Sequence, residues 1–262
     1  TAHLVKAFNN TYVYDGNYSP HRKRKFGSDA RSFPYDRFVV FDQNHDQTGN
    51  RLKGERLSTV VSFEALKLAA ATVLLSPYTP LLFMGEEYGE KNPFLFFVDH
   101  SSEDLLEIVR KGRKEEFAYF NYAGDFPDPA SEDSFLRSVL SWNYAGSQSD
   151  ALMRWYQYLI SFRKSRKAMQ GRERMQVKAY TPADKLILLE RKFEQDHLVI
   201  VLNYADDCRS MVSDFGKRLT KIQDSGHLQW AGSGRVAEPV WEPGQNLEIP
   251  GITVCVYEFN DD

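Results

Sequence analysis

Two short apolar runs, each breaking at once into a polar string, constrain this chain most. Arg37-Phe38-Val39-Val40-Phe41 is β-branched and aromatic and leads straight into DQNHDQTGNR. Pro80-Leu81-Leu82-Phe83-Met84 leads in the same way into GEEYGE. Between them, from about residue 62 to 76, Phe63, Leu66, Ala69, Ala70, Val73 and Leu74 recur at helical spacing. Ser62 is placed to cap that helix and Pro77 to end it. Unbroken apolar runs predict strands buried on both faces, as in a parallel sheet. Strand, helix and strand within this length make one βαβ unit. Ligands of such sheets gather at the carboxyl ends of the strands, so the two polar strings mark the candidate site.

The rest of the chain changes character near residue 170. Residues 1–14 read as the end of a helix running into a loop. The stretch YDGNYSPHRKRKFGSDARSFP is rich in turn formers. Its basic run has acidic residues on both sides and reads as a solvated loop. Residues 91–148 look loop-rich, with a short amphipathic helix at 103–111. A helix follows at 149–167, with Leu152, Trp155, Tyr156, Leu159 and Phe162 as its apolar stripe. Arg163, Lys164, Arg166 and Lys167 sit at its C-terminal end, where cations suit the helix dipole. After Gly171 short β-type runs take over, at 176–180, 186–192, 197–203, 219–224, 247–249 and 253–259, separated by turn signals. They predict a small antiparallel sandwich. The expected class is therefore α/β followed by all-β.

Composition narrows the function. The net charge is −3, with no long-range attraction for nucleic acid or an anionic membrane surface. No run of about 18 apolar residues is present, so no membrane span is expected. Two cysteines without CxxC spacing or nearby histidines exclude a disulfide framework or structural metal, and predict buried free thiols in a reducing cytoplasm. The first residue is Thr1, which reads as a processed or cut end. Aromatics reach 14%, which suits sugar stacking as well as core filling. Neither a cofactor nor a metal is expected.

Asn44, His45 and Asp46 fall just past the first strand. A carboxylate there can accept two hydrogen bonds from vicinal hydroxyls while the imidazole donates a third. Glycoside hydrolysis needs such a grip, because contacts to ring hydroxyls tighten in its oxocarbenium-like transition state. Asp42, His45 and Asp46 are a poor metal set, with one histidine and no second. Glu86 and Glu87 read either as a loop that bonds its neighbours or as substrate-site groups. Tyr88, Phe94, Phe96 and Phe97 read either as loop packing or as sugar platforms. His100, His197 and His227 belong to no constellation.

The ordered set DGNYSPHRKRKFG, QNHDQTGNR-x-x-GERL and LLSPYTPLLFMGEEYGE resembles the α-amylase superfamily of glycoside hydrolases, and within it the malto-oligosyltrehalose trehalohydrolases. The resemblance covers residues 1 to about 170; the β-rich remainder fits by position and length. It implies the C-terminal part of a (β/α)8 TIM barrel over residues 1–170, then a small antiparallel β-sandwich domain over residues 171–262. It puts the NHD string at the end of barrel strand seven and GEEYGE at the end of strand eight. By the same resemblance, Asp46 is the transition-state stabiliser and His45 binds the same sugar. Gln43, Asn44, Asn50 and Arg51 shape the site, and Glu86 lies near the cleft.

The implied mechanism is retaining and needs a nucleophilic Asp and an acid/base Glu from upstream strands. This sequence has no GFRxD-like string and no matching Glu strand. A complete barrel takes about 250 residues, whereas roughly 170 precede the β-rich part here. The implied reaction is cleavage of the α-1,4 bond that releases trehalose from maltooligosyl-trehalose, with the isolated chain inactive. Its open sheet edge would need the missing N-terminal half of the barrel, or self-association, to cover it. Three alternatives stay open: another α-glucan enzyme such as a branching enzyme or amylase, a non-catalytic glucan-binding module, or a self-sufficient carboxylate pair among Asp42, Asp46, Glu55, Glu86 and Glu87.

Overall fold

The computed structural model describes residues 1–119 and 127–259, so part of the loop-rich stretch expected at 91–148 lies outside the described residues. The first part of the chain is mostly helical. In order it forms α1 (Ala2–Asn10), a small hairpin β1 (Tyr18–Ser19) and β2 (Arg24–Lys25), β3 (Val39–Val40), α2 (His45–Gly49) and α3 (Leu57–Val60). Then come α4 (Phe63–Leu74), β4 (Thr79–Pro80), α5 (Glu103–Tyr119), α6 (Glu132–Ser138) and α7 (Ser147–Ser165). The basic run thus spans the tip of the β1–β2 hairpin.

The βαβ unit is present in reduced form. β3 pairs with β4 in parallel, Val39 opposite Thr79 and Val40 opposite Pro80. Thr79 N–H donates to the Phe38 carbonyl at 2.9 Å and Leu81 N–H to the Val40 carbonyl at 2.8 Å. These strands are not buried on both faces as their apolar runs predict. Val39 is 57% exposed, and Phe41, Leu81, Leu82 and Met84 are also exposed. No third strand among the described residues joins the pair, so its edges and one face lack cover.

The connecting helix starts where expected, with the Ser62 hydroxyl accepting from Ala65 N–H at 3.3 Å. Its buried face is rotated from the predicted one: Lys67, Leu68 and Ala71 join Ala70, Val73 and Leu74 inside, while Phe63, Leu66 and Ala69 are half-buried. The reason is that α4 packs on two partners at once, α7 and the β-rich part. Lys67 is fully buried. It meets Glu64 at 2.9 Å and donates to the carbonyls of Ser225 at 2.7 Å and Trp230 at 3.2 Å. The α7 stripe behaves as predicted, with Leu152, Trp155, Tyr156, Leu159 and Phe162 all buried.

The remaining strands are β5 (Val177–Ala183), β6 (Leu186–Phe193), β7 (Asp196–Asn203), β8 (Arg209–Val212), β9 (Leu219–Asp224), β10 (Val240–Trp241), β11 (Asn246–Ile249) and β12 (Thr253–Phe259). β8 and β10 carry no sequence signal of their own and were not expected. Six strands make one antiparallel sheet in the order β10-β9-β12-β7-β6-β5, and β8 pairs with β11 as a separate ribbon. Both faces of the sheet are covered. Leu188, Val199, Val201 and Tyr257 pack with Met211, Leu247 and Ile249 of the ribbon. Leu189, Ile200, Leu202 and Val256 pack with the helices. This is why β6, β7 and β12 read as unbroken apolar runs although they are antiparallel. Cys255 is buried here, but Cys208 is exposed on the loop before β8, contrary to the expectation of two buried thiols.

Two guanidinium groups hold the end of α4, and one of them ties it to the β-rich part. Arg163 of α7 donates to the carbonyls of Leu74 (2.8 Å), Ser76 (2.6 Å) and Tyr78. Arg191 of β6 donates to those of Leu75 (3.1 Å), Met169 (3.1 Å) and Gly171 (3.3 Å). A helix leaves its last four carbonyls without internal partners, and here arginines from other elements supply the donors. Burial, with the like charge of Arg163 nearby, pulls Arg191 down to about 9. Arg191→Ala strips donors from three buried carbonyls and opens a cavity, so it is expected to cost at least about 3 kcal/mol. Urea unfolding measures this; a loss under about 1 kcal/mol would remove Arg191 from the frame of the fold.

Candidate active site at the carboxyl ends of β3 and β4

The polar strings after β3 and β4 meet and divide into a buried layer and an exposed layer. Gln43 and Glu86 belong to the buried layer. Gln43 Nε2 donates to Glu86 Oε2 at 3.3 Å, and its Oε1 accepts from Leu57 N–H at 3.1 Å. Asp42 lies beside them, and its buried Oδ1 meets no donor among the described residues. Glu86 and Asp42 face each other in this layer, with Tyr156 of α7 next to Glu86. Burial first, then the Asp42 charge, pushes Glu86 up to about 8. Burial also raises Asp42. Both shifts favour keeping a proton in this layer at neutral pH.

His45 and Asp46 form the exposed layer. Their side chains are 74% and 76% exposed, with His45 Nε2 3.9 Å from Asp46 Oδ1. They stand there because Asn44 caps α2, its Oδ1 accepting from Gln47 N–H at 2.8 Å. Asn50 and Arg51 are engaged elsewhere. Asn50 Oδ1 accepts from Arg113 of α5 at 2.8 Å, and Arg113 also donates to the Gly49 carbonyl at 3.1 Å. Arg51 meets Glu55 at 3.3 Å. Thus Gln43, Asn44, Asn50 and Glu86 have structural partners that fix the loop, and His45 and Asp46 point to solvent.

The loop after β4 is held by residues that sequence reading did not single out. Glu90 is only 2% exposed. Its carboxylate accepts from the backbone N–H groups of Lys91 (2.8 Å), Asn92 (2.8 Å) and Ser141 (2.6 Å), and from the Tyr88 hydroxyl (2.8 Å). Burial pushes the Glu90 carboxyl up, but these donors outweigh it and the net shift is down. Arg56 is equally buried and donates to the carbonyls of Asn92 and Met84, each at 2.7 Å. Gly54 has φ +58°, and a β-carbon there would lie 2.5 Å from the Phe94 carbonyl oxygen. The GERL segment thus needs its glycine so that two loop backbones can touch. The available signal was the pair Gly85 and Gly89, both left-handed, around a run of glutamates.

No protein-family model matches the chain. A malto-oligosyltrehalose trehalohydrolase from Saccharolobus solfataricus is 44% identical over 161 residues, 62% of this chain and 27% of that protein. One from Arthrobacter ramosus is 41% identical over 164 residues, 62% of this chain and 28% of its own length. Over this stretch the chain is similar to the malto-oligosyltrehalose trehalohydrolases. The match takes in little more than a quarter of either trehalohydrolase. In structure, a Salmonella typhimurium protein assigned to the α-amylases superposes over 98% of this chain and 41% of its own, with a TM-score of 0.81 and 30% identity. No described helix is long and apolar enough to cross a membrane.

The buried layer has a pH signature. A carboxyl whose pKa is raised on folding stabilises the fold below its unfolded value, and that contribution is lost as pH climbs through its folded one. Stability should therefore fall between about pH 4.5 and pH 8 as Glu86 ionises beside Asp42. Glu86→Gln keeps the neutral hydrogen-bonding shape and should flatten the slope, leaving the variant about 1–3 kcal/mol better off at pH 8 relative to pH 5. Denaturant midpoints across that range test it; parallel slopes for both proteins would contradict a proton on Glu86.

Proposed function

We propose that this chain carries the transition-state-stabilising share of an α-amylase-type active site, which cleaves the α-1,4 bond releasing trehalose from maltooligosyl-trehalose. The observation that carries the reading is the exposed His45–Asp46 corner above the buried Gln43–Glu86 pair. Asp46 accepts hydrogen bonds from adjacent hydroxyls of the sugar being cleaved, and His45 donates one. Both contacts strengthen as the ring flattens toward the oxocarbenium ion. Asn44, Gln43 and Glu86 set the position of that corner from beneath.

Retaining hydrolysis also needs a nucleophilic carboxylate and an acid/base carboxyl about 5 Å apart across the sugar. The obvious pair in this chain is unsuited to the task. Asp42 and Glu86 face each other beside Gln43 with Glu86 buried, which leaves no room for a pyranose ring between them. We therefore assign the nucleophile and the acid/base to segments outside this chain, and the isolated chain binds glucan without turnover. In this reading residues 1–170 are the C-terminal portion of a (β/α)8 barrel, with β3 and β4 as strands seven and eight, and residues 171–262 are its β-sandwich domain. The exposed Val39, Leu81 and Leu82 are then the surface that the remaining strands, or a second copy, cover.

Assays on maltooligosyl-trehalose check this. The 30.2 kDa chain alone should release no trehalose. In an enzyme containing this segment and the upstream carboxylates, Asp46→Asn should lower kcat by about 10²–10³, the usual loss when one transition-state electrostatic partner is removed. Enzyme-like trehalose release by the chain alone would overturn the assignment. Release of glucose or maltose in place of trehalose would point to another α-glucan enzyme.

A further inference from the structure

We propose that Trp142 is a sugar-stacking platform, binding one pyranose ring of the α-glucan beside the His45–Asp46 corner. The inference rests on the glucan reading above and adds a residue to it. Three of the four tryptophans, Trp155, Trp230 and Trp241, are buried, whereas Trp142 is 65% exposed. Its backbone is left-handed, with φ +54°, and it is the one aromatic residue in that state among the described residues. A bulky side chain pays for such a conformation only where its surroundings impose it, and such outliers cluster at ligand clamps.

The surroundings impose it here. Buried Glu90 accepts from the N–H of Ser141 at 2.6 Å, and the Ser141 hydroxyl accepts from Asn143 N–H at 3.2 Å. Ser141 is thus pinned to a buried carboxylate and Asn143 to Ser141, and Trp142 is held between them with its indole out in water. An exposed indole gains nothing from folding, so the pinning makes sense as pre-organisation of a flat apolar face.

The place fits a glucan. Trp142 borders a groove of about 270 Å³ together with Met84, Phe94, Phe97 and Phe135. Met84 sits two residues before Glu86 in the loop after β4, and Arg56 fixes its carbonyl. Phe94 backs onto α2: a β-carbon on Gly49 would meet its ring at 3.6 Å. The groove therefore adjoins the helix that carries His45 and Asp46. Pyranose rings present an apolar C–H face, and a rigid aromatic surface at the edge of a hydroxyl-binding corner is complementary to it.

Acrylamide quenching tests this on the 262-residue chain, because Trp142 is the accessible fluorophore. Maltoheptaose should protect it from quenching. Calorimetry should show maltoheptaose binding at least tenfold weaker in Trp142→Ala and within about threefold of the parent in Trp142→Phe. His45→Ala serves as the control for the underlying reading. Weakened binding in His45→Ala with unchanged binding in Trp142→Ala would overturn the platform and keep the site. Weakened binding in Trp142→Ala alone would keep the platform and remove the His45–Asp46 corner from glucan binding. No maltoheptaose binding by the parent chain would overturn the platform.

Discussion

The fold turns on the carbonyls at the end of α4. A helix end inside a protein is stable only if something donates to its last carbonyls, and here the donors come from far along the chain. Arg163 reaches from α7 and Arg191 from β6, and between them they hold the Leu74–Tyr78 turn. That turn launches β4. Fixing it sets the register of β4 against β3, and so sets where the two polar strings emerge. The β-rich part thus acts on the candidate site without touching it, through one guanidinium group and the hydrophobic layer around Trp155, Ile200 and Val256.

Above that frame the site is built in two tiers with opposite electrostatics. The lower tier is low in dielectric and short of donors, so Glu86 keeps its proton. Glu90, a few residues on, is just as buried but is surrounded by N–H and O–H groups and stays ionised. Two buried glutamates in one loop thus differ in charge state because their donors differ in number. The upper tier, His45 and Asp46, has no such partners and remains open to a ligand. In the proposed mechanism the second and third carboxylates are therefore assigned to segments outside this chain and not to the lower tier.

Much of this was legible in the sequence, and the parts that were not have physical reasons. The α7 stripe is readable because burial on one face leaves a helical period, and β6, β7 and β12 because burial on both faces leaves unbroken apolar runs. The face of α4 was misjudged because a helix touching two partners buries a wider arc than one stripe, and Lys67 inside that arc looks like a surface residue until its carbonyl partners are known. The exposure of β3 and β4 was also hidden: an apolar run looks the same whether or not its neighbours are present. At the site, the NHD string stood out because its chemistry is local. Glu90, Tyr156 and Arg113 act across separations that no pattern encodes, and Trp142 owes its role to a backbone angle. The division of Glu86 from Asp46, one buried and one open, likewise depends on packing by Tyr156.

The most direct test of the central claim is a crystal structure of this chain soaked with maltoheptaose. The account predicts a glucose ring with adjacent hydroxyls within hydrogen-bond reach of the Asp46 carboxylate and His45 Nε2, above an unchanged Gln43–Glu86 layer. A ring lodged between Asp42 and Glu86 would contradict it, as would a glucan bound only at sites remote from α2.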